Sequence, residues 1–382
     1  MMFTFSSQPS VHACFILLML LARPYPVPGE DVAGLPAAPP LEYDFSLRTY
    51  GADIDVNFGF LSHFTGSWTQ LHTRIGGGWQ QEGFHRNPDG SLFFADEKDD
   101  IQLARHNRIE TGARIGVVQG ISWNEQLEQT DWRGYVLVGS SYEFHIRDEL
   151  INQLIFETDY QDNERSLTNR IATGALRDRV HKTEHKVDGF NQEISLEYGP
   201  WWLGNRAMGA ADYVRLHARH VHYVPLFTDG LYLVNGTYID RLWGGWAEGT
   251  TVPLNARASF GGWKSRSGLG DTARGFESGR FDADFKLANA MDIRYRAVHL
   301  ESLNTRLGIL GYWDIGYYRG LRDAPEDSEY NVGWVSSNGI AASITVLDTY
   351  TLVLYSHLPW FGTITHADSR VIPFAIDFGF HQ

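Results

Sequence analysis

Three histidines stand close together in the stretch RLHARHVH, and imidazole is the commonest metal-binding side chain. His220 and His222 would share one face of a strand, because side chains two residues apart point the same way, whereas His217 would point to the other face. A zinc site needs three or four ligands, and the stretch offers no cysteine and no carboxylate at a fixed short spacing. The sequence therefore favours polar lumen residues over a metal site here.

A second candidate is the acidic stretch ADEKDD at 95–100, whose carboxylates could bind calcium. It lacks the alternating acidic positions and the glycine of an EF-hand loop, so a solvated loop is the better interpretation. The sequence contains no Gly-x-Ser-x-Gly elbow, phosphate-binding loop or dinucleotide fingerprint. We therefore predict no catalytic residue, metal or cofactor, and we do not expect an enzyme.

One arginine stands out by its setting. The segment GLGDTARGFESGRFDADF, residues 268–285, places Arg274, Gly275 and Phe276 in a glycine-rich, charged stretch between two runs that alternate like strands. Taken alone, the triplet is consistent with a solvated loop charge.

The composition indicates which elements would position such a loop. The chain has 12 Trp, 18 Tyr and 22 Phe together with 39 Gly. Transmembrane β-barrels have this mixture, because lipid-facing residues alternate with polar interior residues and aromatic side chains collect at the two interfaces. The formal net charge of −14 argues against a nucleic-acid partner, which would need a basic face.

The alternation is clearest in the run IPFAIDFGF near the C-terminus. Small or acidic residues occupy one face of this run, and the other face, expected to meet lipid, carries Phe374, Ile376, Phe378 and Phe380. About fifteen such runs have the length of a tilted barrel strand, and sixteen antiparallel strands is the nearest even number. The charged stretch 159–189 is interpreted as an exposed loop, with a short helix conceivable at 164–178.

Residues 1–30 are predicted to be a signal peptide. The apolar run CFILLMLLA is too short to span a bilayer as a helix, and a proline-rich segment follows it. Cleavage is expected between Ala22 and Ala38, and residues 40–382 are predicted to form a single barrel domain. Because Cys14 is the only cysteine, the mature barrel would depend on backbone pairing and packing, with no disulfide.

Several motifs in a fixed order resemble the BamA/TamA superfamily, the bacterial surface antigen family of outer-membrane barrels that includes two-partner secretion transporters. The matching residues are Gly261-Gly262, Ala273-Arg274-Gly275-Phe276, Leu287-Ala288-Asn289 and Tyr312-Trp313-Asp314-Ile315-Gly316. Five strand candidates follow Arg274, as in that family. The resemblance is strongest over 255–382, and the region before it matches in strand pattern alone.

The resemblance implies an outer-membrane barrel of a Gram-negative-type bacterium, with the loop folded into the lumen. There Arg274 would pair with Asp314, two residues before Gly316. An arginine guanidinium suits bidentate carboxylate pairing, and the glycine after it permits a tight backbone turn. A solvated loop charge remains the alternative for Arg274.

The resemblance also implies a function. Relatives carry periplasmic POTRA domains, for which barrel-like alternation beginning by residue 52 leaves no room, so a periplasmic or membrane partner subunit is expected to replace them. The expected role is assistance in the assembly or translocation of outer-membrane proteins or lipids through a lateral seam between the first and last strands. The alternative is a plugged or narrow passive pore, or a structural surface antigen.

Overall fold

Antiparallel strands make up most of the residues that the structure describes. The computed structural model describes residues 41–48, 51–62, 69–86, 102–124, 129–146, 165–182, 186–207, 210–250, 252–253, 256, 258–260, 273–275, 281–321, 331–347, 350–358 and 374–381. The strands are β1 Leu41–Arg48, β2 Gly51–Ser62, β3 Thr69–Arg86, β4 Gln102–Asn124, β5 Gln129–Ile146, β6 Arg165–Asp178, β7 His181–Lys182, β8 Val187–Gly199, β9 Tyr213–Pro225, β10 Leu231–Gly244, β11 Ala258–Phe260, β12 Phe281–Leu300, β13 Thr305–Leu321, β14 Val332–Val346, β15 Tyr350–Leu358 and β16 Phe374–His381. Single turns of 3-10 helix occur at Asn205–Ala207 and Glu301–Leu303. Within the described residues, no helix is long and apolar enough to cross a membrane.

The fourteen longer strands each pair with a neighbour on both sides. The pairing runs from β1 to β6, then through β8, β9, β10 and β12 to β16, and β16 pairs with β1. β7 pairs with β8 alone, and β11 pairs with the first residues of β12. The predicted all-β antiparallel fold is confirmed, whereas a barrel wall of sixteen strands is not, because two of the sixteen are short segments beside this ring.

β10 and β11 occupy the same edge of β12. Leu231–Arg241 of β10 pair with Phe285–Tyr295, and Ala258–Phe260 pair with Phe281–Ala283 just beyond them. β11 therefore continues the line of β10 after the chain has left the sheet at Gly244. Within this excursion, Gly249 has a left-handed backbone (φ 71°) and open space where a side chain would stand.

The two faces of the strands differ in polarity. On β13, Ile309 and Trp313 are about half exposed, whereas Tyr312 and Asp314 are buried. We call the face with exposed apolar side chains the outer face and the opposite face the inner face. Apolar outside and polar inside is the pattern of a barrel in lipid, since a water-accessible interior accepts charge.

The exposed loop predicted at 159–189 and the conceivable helix at 164–178 are both wrong for Arg165–Asp178, which forms strand β6 between β5 and β8. The charged and polar residues that suggested a loop have partners on the inner face. Ser166 lies 3.5 Å from a carboxylate oxygen of Glu143, and Arg170 lies 3.5 Å from Glu197. The run INQLIFETDY at 151–160, one of about fifteen strand candidates in the sequence, lies outside the described residues.

Candidate functional site

The turn Ala273–Gly275, just before β12, is buried against the inner face. Ala273 and Gly275 both have left-handed backbones, with φ of 53° and 101°. Glycine suits the second position because it has no Cβ to clash in that conformation. Ala273 packs with Ala283, Ala288 and Val335, which brings the turn against β12 and β14.

Arg274 is held by Asp314 of β13 through three hydrogen bonds. Its Nε donates to Oδ2 at 3.0 Å, its Nη2 donates to Oδ1 at 2.6 Å, and its backbone N–H donates to Oδ2 at 2.9 Å. Both side chains are almost fully buried, at 3 % and 1 % exposed. The two parallel side-chain bonds fix the orientation of the guanidinium as well as its position.

A second carboxylate completes the charge balance. Arg274 Nη2 donates to Asp292 Oδ1 at 2.6 Å, and the other oxygen of Asp292 accepts from Arg294 Nε and Nη2 at 3.0 and 2.7 Å. Burial alone would lower the pKa of Arg274, but Asp314 and Asp292 raise this pKa well above its usual value. We call Arg274, Asp314, Asp292 and Arg294 the anchor network. Its two cations and two anions are paired, which offsets the desolvation penalty of the three buried members, whereas the Arg294 side chain is 42% exposed.

The side chain of Tyr312 contacts Arg274 of the anchor network through both its ring and its hydroxyl. The Arg274 guanidinium lies 4.1 Å from the centre of the Tyr312 ring, in the geometry of a cation–π contact. The Tyr312 hydroxyl donates to the Arg274 carbonyl at 3.4 Å and also hydrogen-bonds Nδ1 of His357. Ser337 lies within 3.5 Å of Asp314 Oδ2. One turn of chain is thereby tied to strands β12, β13, β14 and β15.

Sequence reasoning paired Arg274 with Asp314 but gave Asp292, Tyr312 and His357 no role in the site. For Asp292 the signal was the alternation of the LANAMDIRYR run, which places it among the inward residues of β12. For Tyr312 it was the spacing of two residues from Asp314, which puts both side chains on one face. His357 had no such signal, because its approach depends on how β13, β14 and β15 are paired.

The other site residues predicted from the sequence lie on β13 and β16 or outside the described residues. Gly316 is buried on β13 between Ala288 and Val335 of the neighbouring strands. On β16, Phe374 and Ile376 are exposed on the outer face, and Phe378 stacks on Tyr350 with 6.4 Å between ring centres. For Phe380 the backbone pairing with Phe45 is described. Gly261, Gly262, Phe276 and the acidic stretch 95–100 lie outside the described residues.

The histidines of β9 lie on both faces. His217 is on the inner face, where its Nδ1 is 3.5 Å from Asp240, which also pairs with Arg215 at 2.8 Å. His220 and His222 share the outer face with 5.9 Å between ring centres, so the prediction that they are lumen residues is wrong. Across the described ranges, no group of three or more His, Cys, Asp or Glu side chains is arranged to hold a metal ion.

Comparisons with known proteins identify the fold. No family model matches the chain, and no curated protein matches it. The chain is similar to the crystal structure of BamA from Haemophilus ducreyi lacking POTRA domains 1–3, with a TM-score of 0.57 and 13% identity over 90% of this chain and 70% of that one. It is also similar to CdiB from Escherichia coli, with a TM-score of 0.56 and 11% identity over 91% of this chain and 64% of that one. The BamA-type barrel fold expected from the sequence motifs is thus confirmed.

Proposed function

We propose that the chain is an outer-membrane β-barrel of the BamA/TamA type, which assists the assembly or translocation of outer-membrane proteins or lipids. The proposal starts from the fold shared with BamA and CdiB. The apolar outer face supports a location in lipid, here the outer membrane of a Gram-negative-type bacterium. A periplasmic or membrane partner subunit would supply the cargo.

The observation that carries the proposal is the junction between β1 and β16, which we call the seam. Five pairs of described residues join these strands, from Asp44↔His381 to Arg48↔Asp377. Among the described residues, every other junction of the ring has more pairs, from seven between β15 and β16 to eighteen between β3 and β4. Because lipid offers no hydrogen bonds to an open strand edge, the junction with the fewest pairs is the easiest to open for cargo.

The anchor network supports the same proposal. A loop fixed by Arg274 to Asp314 would occupy the lumen and leave the seam as the remaining route between barrel and membrane. The pairing is the one that resemblance to the BamA/TamA superfamily implies for these motifs.

A second candidate function is a passive barrel, either a narrow pore or a surface antigen. Inner-face ion pairs favour it, because Arg108–Glu143 at 2.6 Å, Arg219–Glu193 at 2.9 Å and Arg215–Asp240 at 2.8 Å would help to fill the interior. Such a barrel gains nothing from a weak seam.

The test combines depletion with a covalent lock. Depletion in the native cell should lower the levels of outer-membrane proteins or change outer-membrane lipids. In a chain with Cys14 replaced by serine, Ser46→Cys with Gly379→Cys should form a disulfide across the seam, because the two positions are directly paired. The oxidised variant should fail to restore the depleted cell, and reduction should restore it.

The matched control is a disulfide at another junction. Ser343→Cys with Val353→Cys joins directly paired residues of β14 and β15 and leaves the seam free. We expect this variant to function in both redox states. If depletion changes neither proteins nor lipids, or if the locked seam supports function as well as the control does, the passive barrel is the better assignment.

A further inference from the structure

Polar side chains form a continuous row across the outer face on one side of the ring. Direct strand pairing aligns Arg177 of β6 with Gln192 of β8, Gln192 with His220 of β9, His220 with Thr237 of β10, and Thr237 with Asn289 of β12. Paired residues of adjacent strands point to the same face, so the whole row faces one way.

That face is the outer one. On β8 it also carries Ile194 and Leu196, and on β12 it carries Leu287 and Ile293, all of them exposed. His222, two residues beyond His220, belongs to the same face and is exposed. We call Arg177, Gln192, His220, His222, Thr237 and Asn289 the outer polar patch.

Hydrogen bonds within the patch, and one to the neighbouring Asn235, satisfy part of its polarity. Gln192 Nε2 and His220 Nδ1 are 3.0 Å apart. Asn289 Nδ2 donates to Asn235 Oδ1 at 2.6 Å and to Thr237 Oγ1 at 3.2 Å. These bonds lower the free-energy cost of placing Gln192, His220, Thr237 and Asn289 in lipid, where an unsatisfied polar group is costly.

The end of the patch near the strand termini is aromatic and basic. The Arg177 guanidinium lies over the rings of Trp132 and Phe190, at 5.2 and 5.1 Å from their centres. Phe190 also contacts the His220 ring, with 6.0 Å between centres. Arginine and tryptophan side by side at the end of a membrane strand are typical of the headgroup level.

We propose that the outer polar patch binds the headgroup of a phospholipid through its phosphate, with Arg177 and His222 as the contacts. This inference rests on the proposed location in a membrane. Charge complementarity selects the occupant, because the six members include an arginine and no carboxylate, and the two histidines add ring N–H donors. A phosphate offers the acceptor oxygens that guanidinium and imidazole N–H groups prefer.

A second copy of the chain fits less well. In a symmetric dimer the patch of one copy would face the same patch of the other copy. The six patch residues include no carboxylate that could pair with Arg177 of the other copy. The position in the ring also separates this site from the seam. The β8–β9 junction lies seven strands from the seam in either direction, so the bound headgroup would be on the far side of the barrel.

The experiment uses the full chain reconstituted in phosphatidylglycerol nanodiscs and released for native mass spectrometry, which counts the lipids that stay bound. We expect Arg177→Gln with His222→Leu to lower phosphatidylglycerol retention by about tenfold, the worth of roughly one charge-assisted hydrogen bond. Arg177→Lys should retain more lipid than the double variant. In nanodiscs of a phosphate-free galactolipid, wild type and double variant should be equal.

Arg241→Gln is the matched control. Arg241 lies on the outer face of β10 outside the patch, with its guanidinium 5.5 Å from the Trp243 ring centre, and its replacement should leave retention unchanged. Equal retention by the double variant and wild type would overturn the inference, as would equal losses in both lipids. Wild-type dimers abolished by the double variant would identify a second copy as the occupant instead. Failure of the wild-type chain to enter nanodiscs would refute the proposed membrane location itself.

Discussion

Removing the Arg274 side chain would leave Asp314 buried on the inner face without its cation, whereas Asp292 would keep Arg294. Breaking a buried ion pair from one side costs about 3–5 kcal/mol. We therefore expect Arg274→Ala to expose the turn and its flanking loop to limited proteolysis. The charge swap Arg274→Asp with Asp314→Arg should recover part of the resistance. If Arg274→Ala and Asp314→Ala both resist protease like wild type, the network does not hold the loop.

The requirement for a left-handed backbone at Gly275 can be tested by adding a single methyl group. Its φ of 101° is unfavourable for any residue with a Cβ, so Gly275→Ala should lower the free energy of unfolding by about 1 kcal/mol or more. Gly311→Ala on β13 is the control, because a Cβ there meets open space. Denaturant titration in detergent should separate the two variants. Equal stability would show that the left-handed backbone at Gly275 is not required.

At the level of residues, a motif located the arginine and the aspartate that meet, and strand alternation indicates some of the residues around them but not all. Asp292 and Asp314 are directed inward by alternation, which a sequence displays. His357 contacts Tyr312 across the β13–β14 and β14–β15 junctions. The registers of these two junctions cannot be predicted from a single sequence.

Among the elements, β1 and β16 should have the least protected backbone of the ring. In the described part of the chain, five pairs join them, whereas sixteen join β12 and β13. Amide exchange in detergent follows local opening, so seam amides should exchange faster than those of β12 and β13. The β15–β16 junction, with seven pairs, should fall between the two. Uniform protection around the ring would contradict a seam that opens.

The misinterpretation of 164–178 shows where strand prediction from patterns fails. A strand facing a polar interior carries arginine and threonine on one face, and when its outer positions include Asn169 and Arg177 the apolar alternation disappears. C-terminal strands such as β16 keep the alternation because Phe374 and Ile376 point outward and Ala375 points inward. The pairing of β11 with β12 could not be predicted either, because alternation does not indicate which neighbouring strand a segment pairs with.

For the whole molecule, the exposed apolar outer face predicts dependence on detergent. Outer residues such as Ile115, Val136 and Ile340 are each at least half exposed, which water would not tolerate over an entire surface. The unboiled protein should migrate differently from the boiled protein on a gel, and its circular dichroism should be rich in β-structure in detergent. A water-soluble monomer with the same spectrum would rule out the membrane barrel.

The excursion between β10 and β11 gives the experimenter a place to add sequence. Because both segments line the same edge of β12, the chain between them can lengthen without changing any strand pair. Gly249 lies there with open space around it, and exposed turns of this kind accept insertions well. A short epitope placed after Gly249 should therefore be tolerated. Antibody staining of intact cells would then show which end of the barrel faces the cell exterior. The same turn could also display foreign peptides.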